Sequence, residues 1–209
     1  NYLKVKQFFP LRFFLPKKTS PVETVYKTLD ELKDLKPDFI SVTYGAGGSE
    51  NCSTTLDIVK RIKNVCGVES ASHLTCLYLS KADATEVLEN FRKNGVENIL
   101  ALRGDIIEGR EPIGDFQHAS DLVKFIKEFD ANRSDGQFNI LGACYPEAHP
   151  KSSSMIEDIQ NLKTKVDAGV THLMSQLFFD NNYFYDFIEK AKIAGINVPI
   201  EAGIMPVVN

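Results

Sequence analysis

The sequence lacks any apolar run long enough to cross a bilayer, which excludes helical membrane insertion. The start, Asn1 to Pro16, has lysines ahead of aromatics like a secretory leader. Pro10 and Arg12 interrupt its apolar part and no small-residue cleavage site follows, so it is not read as one. Tryptophan is absent and cysteine is sparse. Cys52, Cys66, Cys76 and Cys144 form no C-x-x-C pair. That excludes a zinc site, so no metal is expected, and reduced thiols of a cytoplasmic protein are. An excess of positive charge is also missing. Lysine and arginine number 24 against 28 aspartates and glutamates, a net charge of −4. Nothing in that balance attracts nucleic acid or an anionic membrane.

What is present is ordinary globular composition, 43% hydrophobic and 25% charged over 209 residues, enough for one sizeable core. β-rich apolar runs recur at 11–15, 38–43, 69–76, 98–102, 138–143, 172–176 and 198–204. Segments of helical period lie between them. Ser20 and Pro21 open one as N-cap and first helical residue, with Val22, Val25, Leu29 and Leu32 on one face. Leu56, Val59 and Ile62 mark the next, which stops at Gly67. Ser80 opens a third, which stops at Gly95. Strand then helix repeats with a unit of about 30 residues, the size of a βαβ step. Such alternation means a parallel sheet, either doubly wound or closed into a barrel. A barrel takes about 250 residues. A chain that stops after a seventh strand fits an α/β fold of the (β/α)8 TIM-barrel type. It is expected to be C-terminally incomplete: one domain over residues 1–209, without the last helix, strand and helix. The non-Met start and the "AGIMPVVN" end read as cut ends.

In such barrels chemistry sits at the C-terminal ends of the strands. The second strand here runs into Thr43-Tyr44-Gly45-Ala46-Gly47-Gly48, and the third carries His73 and Thr75. The fourth ends in Arg103-Gly104-Asp105, the fifth in Tyr145-Pro146-Glu147-Ala148-His149, and the sixth in Gln176 with Asp180 beyond. Each has a plain structural reading on its own. Gly45-Ala46-Gly47-Gly48 matches neither the dinucleotide fingerprint nor a P-loop and reads as a turn. His73 reads as a satisfied core histidine, Arg103 with Asp105 as a strand-end ion pair, and Asp158, Asn161 and Lys165 as a solvated helix stripe. Five consecutive strands ending in hydrogen-bonding side chains together favour a ligand site.

The segments "SVTYGAGGS", "SHLTC", "LRGD", "YPEAHP", "LKTKVDAG" and "SQLFFD", in this order from about Ser20 to Asn209, resemble the FAD-dependent methylenetetrahydrofolate reductases. The resemblance implies a barrel with FAD at the strand C-termini. It implies reduction of 5,10-methylenetetrahydrofolate to 5-methyltetrahydrofolate by ping-pong hydride transfer. The implied FAD contacts are Thr43, Tyr44, Ala46, His73, Arg103, Gly104, Asp105, Ala119, Tyr145, His149, Asp158, Asn161 and Lys165. Asp105 matches the family's aspartate beside the flavin ring, where a carboxylate disfavours extra negative charge on reduced flavin and stabilises a cationic iminium. Gln176 matches a glutamine that contacts folate and nicotinamide in turn. Lys165 offers a charge to a phosphate, while Thr164 stands where an arginine is common.

The first strand departs from the family. Aligned on Pro16-Lys17-Lys18, Arg12 takes the place of the general-acid glutamate and Leu15 that of a proline. A guanidinium, with a pKa above about 12, does not give up a proton near neutral pH. The alternative expectation is therefore a non-catalytic or altered flavin-binding barrel subunit. The implied partners are methylenetetrahydrofolate and an electron donor, NAD(P)H or a partner reductase, in a homo-oligomer or hetero-complex.

Overall fold

The computed structural model describes residues 10–13, 22–43, 52–131 and 133–205. Among them seven strands alternate with six helices. They are β1 Pro10–Phe13, α1 Val22–Lys33, β2 Phe39–Val42, α2 Cys52–Asn64, β3 Glu69–Thr75, α3 Lys81–Lys93, β4 Asn98–Leu102, α4 Ala119–Asp130, β5 Asn139–Cys144, α5 Met155–Asp167, β6 His172–Leu177, α6 Asn181–Ile193 and β7 Ile200–Gly203. The strands follow chain order, β1 through β7. This is the α/β, TIM-barrel-like fold expected, with seven of the eight strands of such a barrel among the described residues. No described helix is long and apolar enough to cross a membrane.

Helix positions follow the apolar period. Leu56, Val59 and Ile62 of α2 are all buried, as are Val25 and Leu29 of α1. Gly67 and Gly95 end α2 and α3 with φ of 67° and 70°, the left-handed region that glycine enters without a Cβ clash. Ser154 caps α5 by accepting the Glu157 amide at 3.2 Å, and Asp180 caps α6 by accepting the Asn182 amide at 2.9 Å. Ser20 and Pro21 lie outside the described residues. The seventh strand begins at Ile200 rather than Val198. Pro199 has no amide to give the ladder, although its carbonyl accepts the Leu173 amide at 2.9 Å.

The described residues of Asn1–Leu74 with Ala82–Asn98 form one compact unit, and those of Thr75–Lys81 with Ile99–Asn209 a second. In the first, β1, β2 and β3 pair in parallel with Arg12 opposite Ser41 and Ser41 opposite Ala71. Leu29, Ile40, Ile62, Leu74, Leu88 and Phe91 are fully buried, each contributing about 1.5–3 kcal/mol. On its surface Lys63 Nζ donates to the Gly95 carbonyl at 2.8 Å and to Glu97 at 2.7 Å, tying α2 to the turn after α3.

In the second unit β5, β6 and β7 pair in parallel, with Ala143 opposite Met174 and Met174 opposite Glu201. Leu100, Phe116, Leu122, Ile126 and Phe187 form its buried interior. His172 Nε2 lies 2.8 Å from Glu201 Oε1, with both side chains mostly withdrawn from solvent. The pairing of β6 with β7 is irregular between Met174 and Leu177. There the Gly203 amide donates to Ser175 Oγ at 2.8 Å. A Cβ on Gly203 would run into the Ser175 carbonyl oxygen and lie 3.1 Å from the Gln176 carbonyl carbon.

Backbone atoms give way less easily than side chains, so Gly203→Ala is expected to destabilise the protein by about 1–3 kcal/mol. The midpoint of urea unfolding measures this. An unchanged midpoint would mean that the approach of β7 to β6 is not close-packed at Gly203.

Candidate functional site

A cavity of about 450 Å³ opens in the second unit, within the roughly 300–1,000 Å³ range of small-molecule pockets. It lies between the end of β4, the start of α4, the end of β5 and one face of α5. Arg103, Ala119, Tyr145, His149, Asp158, Asn161 and Lys165 line it. These residues come from four separate parts of the chain, the ends of β4 and β5, the start of α4 and α5, and the fold brings all of them to one hollow. On the α5 stripe Asp158 is buried and Lys165 half-buried, while Asn161, which also lines the cavity, is exposed.

Lys165 reaches from α5 to the end of β5. Its Nζ donates to the Ala143 carbonyl at 2.7 Å. Burial lowers its pKa, opposed by Cys144 and Asp158. The side chain reaches β5 because Gly142 leaves room. A Cβ there would stand 3.2 Å from Lys165 Cδ and 3.2 Å from Val170 Cγ1. Asp158 Oδ1 accepts from Ser152 Oγ at 3.0 Å, which fixes its carboxylate at the cavity wall. His149 Nδ1 accepts the Lys151 amide at 3.0 Å. An imidazole whose Nδ1 accepts carries its hydrogen on Nε2 when neutral, so His149 is a donor on that side. Its ring meets Tyr145 edge to face, with centroids 4.6 Å apart.

Arg103 leaves β4 and donates through Nε to the Gln117 carbonyl at 2.9 Å, which sets the plane of its guanidinium. Gly104 follows with φ 86°. A Cβ there would approach Thr75 Cβ to 3.1 Å, so both the backbone conformation and the space require glycine. Asp105 is exposed beyond it, and so is Gln176 at the end of β6. Ala119 is the buried first residue of α4. The amides of Gln117 and His118 before this helix are held by Asp121 Oδ2 at 3.0 and 2.8 Å.

Thr43 and His73 belong to the first unit. Thr43 is half-buried, and its amide donates to the Phe13 carbonyl at 3.1 Å. Strand alternation puts Arg12, Ser41, Ala71 and His73 on one face of β1–β3. His73 is buried, and neither its Nε2 nor Ser41 Oγ has a hydrogen-bond partner. Burial first, then the Arg12 charge, pushes the His73 pKa down to about 3. An orphaned, neutral imidazole nitrogen is a group that a ligand atom would satisfy. Tyr44 and Ala46 lie outside the described residues.

Several lining residues carry no sequence signal of their own. Cys144 is buried at the cavity wall, its thiol pushed up to about 12 chiefly by burial, so it is a packing group and not a nucleophile. Ser152 is legible only as part of the polar run ahead of α5. Gly142, beside the cavity and not in its lining, gives no signal either because its neighbour Lys165 is remote in sequence. Among the described residues no group of three or more His, Cys, Asp or Glu could hold a metal ion.

The family profile described as methylenetetrahydrofolate reductase matches residues 2–209. The chain is 40% identical over 198 residues to the 5,10-methylenetetrahydrofolate reductase of Pectobacterium carotovorum subsp. carotovorum, covering 94% of this chain and 63% of that one. It is 41% identical over 197 residues to the enzyme of the same name from Escherichia coli (strain K12), covering 94% and 64%. To methylenetetrahydrofolate reductase (NADH) 1 of Arabidopsis thaliana it is 39% identical over 214 residues, covering 96% and 35%. The chain thus spans less than two thirds of the length of these relatives. Among solved structures, a 2,3-dimethylmalate lyase of the PEP mutase/isocitrate lyase superfamily matches with TM-score 0.62 at 10% identity, covering 93% of this chain and 74% of that one. An oxaloacetate acetylhydrolase matches with TM-score 0.59 at 13% identity, covering 94% and 75%. At such identities the likeness is one of fold.

His73 makes stability depend on acid. Its lowered pKa means that below pH 6.5 the unfolded chain binds a proton that the folded one refuses. The contribution is whole above 6.5 and drains as pH falls toward 3, at about 1.4 kcal/mol per pH unit. In His73→Gln that share of the slope is expected to vanish, as read by urea unfolding between pH 7 and 4. An unchanged slope would mean that His73 is not the buried neutral group described.

Proposed function

Since the chain belongs to the methylenetetrahydrofolate reductase family, we propose that it forms the barrel of a FAD-dependent reductase that converts 5,10-methylenetetrahydrofolate to 5-methyltetrahydrofolate. One observation supports this reading above the others: the convergence of Arg103, His149, Asp158, Asn161 and Lys165 on one cavity. A cofactor with a diphosphate and a nucleoside needs cations for one and hydrogen-bonding groups for the other. The Lys165 ammonium and the Arg103 guanidinium suit the phosphate oxygens. Asp158 and Asn161, on the same face of α5, suit ribose or base. His149 adds an Nε2 donor.

When bound, FAD supplies hydride transfer between the electron donor and the folate. The chain's residues bind, orient and set charge. Asp105, exposed after β4, would lie against the substrate and favour a cationic iminium by its charge. Gln176, exposed at the end of β6, would hydrogen-bond the folate and then the nicotinamide, which suits ping-pong turnover. NAD(P)H or a partner reductase is the electron donor in this reading. The protein works in the cytoplasm as a homo-oligomer or within a hetero-complex. Arg12 holds its proton at neutral pH, so it binds or repels but does not act as the acid.

Two experiments test the reading in the full-length protein. The purified protein is expected to show an oxidised-flavin absorption spectrum. Lys165→Met, which keeps the apolar stem, is expected to weaken FAD binding roughly 10–100-fold, the worth of one charge-assisted hydrogen bond. A protein that takes up no FAD, or a variant with unchanged affinity, would overturn the cofactor assignment. Arg12→Glu is expected to raise methylenetetrahydrofolate turnover at least about tenfold by restoring a group that can give a proton. No gain would mean that protonation is not limited at β1.

A further inference from the structure

Between Cys76 and Ser80, in the turn from β3 to α3, Leu77, Tyr78 and Leu79 carry no motif of their own. Yet several of the bonds that order the long connection from Arg103 to His118 end on this turn or beside it. The Leu77 amide donates to the Arg103 carbonyl at 3.0 Å, and the Ile113 amide donates to the Leu77 carbonyl at 3.1 Å. The Lys81 amide donates to Asp115 Oδ2 at 2.8 Å. The centre of the arrangement is Tyr78. Residues Ile107 to Arg110 make a reverse turn, closed by the Arg110 amide on the Ile107 carbonyl at 3.1 Å, with Gly109 at φ 74°. The Tyr78 hydroxyl accepts the Ile107 amide at 2.7 Å and donates to the Arg110 carbonyl at 3.3 Å. It thus binds the two outward-facing groups of that turn, one at each end. The Arg110 guanidinium lies over the Tyr78 ring, 4.5 Å from its centre, a cation–π contact that covers the hydroxyl's neighbours.

Asp105 sits between two fixed points. On one side Gly104 packs against Thr75 in a conformation reserved for glycine. On the other, two residues on, Ile107 is pinned to Tyr78. Asp105 itself is exposed, so no packing of its own holds it. We infer that Tyr78 is a positioning residue for Asp105, its hydroxyl fixing the far end of the short span that presents the carboxylate. The inference rests on the reductase reading for what Asp105 does, but not for the anchoring itself. A lone tyrosine–amide bond would be unremarkable. A hydroxyl engaged by both ends of a turn, on a stretch that is exposed from Glu108 to Asp115, has a defined consequence for the neighbouring side chain.

Tyr78→Phe removes the hydroxyl and keeps the ring under Arg110. In the full-length, FAD-loaded protein, amide exchange at Ile107 is expected to quicken roughly 3–10-fold, the worth of one hydrogen bond. Reoxidation of the reduced flavin by methylenetetrahydrofolate is expected to slow about 10-fold at saturation, with FAD content and melting temperature unchanged. In an Asp105→Asn background the same substitution is expected to add little, because both act through one carboxylate. Unchanged exchange at Ile107 overturns the anchoring. Faster exchange with full multiplicative losses in the double variant overturns the positioning role and leaves Tyr78 a structural residue. A wild-type protein that does not turn over methylenetetrahydrofolate fails the reductase reading instead, and exchange at Ile107 then decides the anchoring by itself.

Discussion

The character of the cavity depends on one ammonium group held below the surface. A buried cation is costly unless hydrogen-bonded, and among the described residues Lys165 has one acceptor, the Ala143 carbonyl. Three donors on one nitrogen leave two for something else. Gly142 makes the approach possible, Asp158 supplies a nearby negative charge, and Ser152 with the first turn of α5 holds Asp158 in place. Remove the ammonium and these arrangements lose their common purpose. Cys144 beside it is a buried thiol whose pKa burial raises, which disfavours its thiolate.

Parallel strands that alternate with helices all point their C-terminal ends the same way, and this constraint explains why scattered motifs gather. Arg103 at the end of β4 and Tyr145 at the end of β5 share a wall because their strands do. The helices that follow aim their first turns at the same hollow, which brings in Ala119 and Asp158. Helix N-termini carry partial positive charge, so the same geometry that gathers the side chains also favours an anionic ligand.

Much of this is legible in the sequence. The helix faces of α1 and α2, the glycine stops at Gly67 and Gly95, the strands and the polar strand ends all follow from local pattern. The cavity-lining set follows from motif resemblance combined with the barrel rule. What stayed hidden has one physical cause: it depends on residues distant in sequence. Gly142 looks like any strand glycine until Lys165 lies across it. Tyr78 looks like a turn aromatic until the 107–110 turn closes on its hydroxyl. Asp158, Asn161 and Lys165 fit a solvated stripe by periodicity alone, and it is the cavity they line, with Asp158 buried in its wall, that separates the two readings. Arg12 was visible as a departure, but its effect on His73 needs the register that puts both on one face of the sheet.

The turn from Thr75 to Lys81 has an implication for how the chain is made. It belongs with the second compact unit although the residues on both sides of it belong with the first. Synthesis runs from the N-terminus, so the turn leaves the ribosome before Arg103, Ile107, Ile113 and Asp115, the groups that bind it. Its amides at Leu77 and Lys81 and the Tyr78 hydroxyl must stay hydrated until the chain has been extended by a further strand and most of a connection. β3 and α3 can settle early through Leu74, Leu88 and Phe91, but the link between them is completed late. Slowing translation across the segment before Asp115 therefore prolongs a state in which α3 is formed and its leading turn is not.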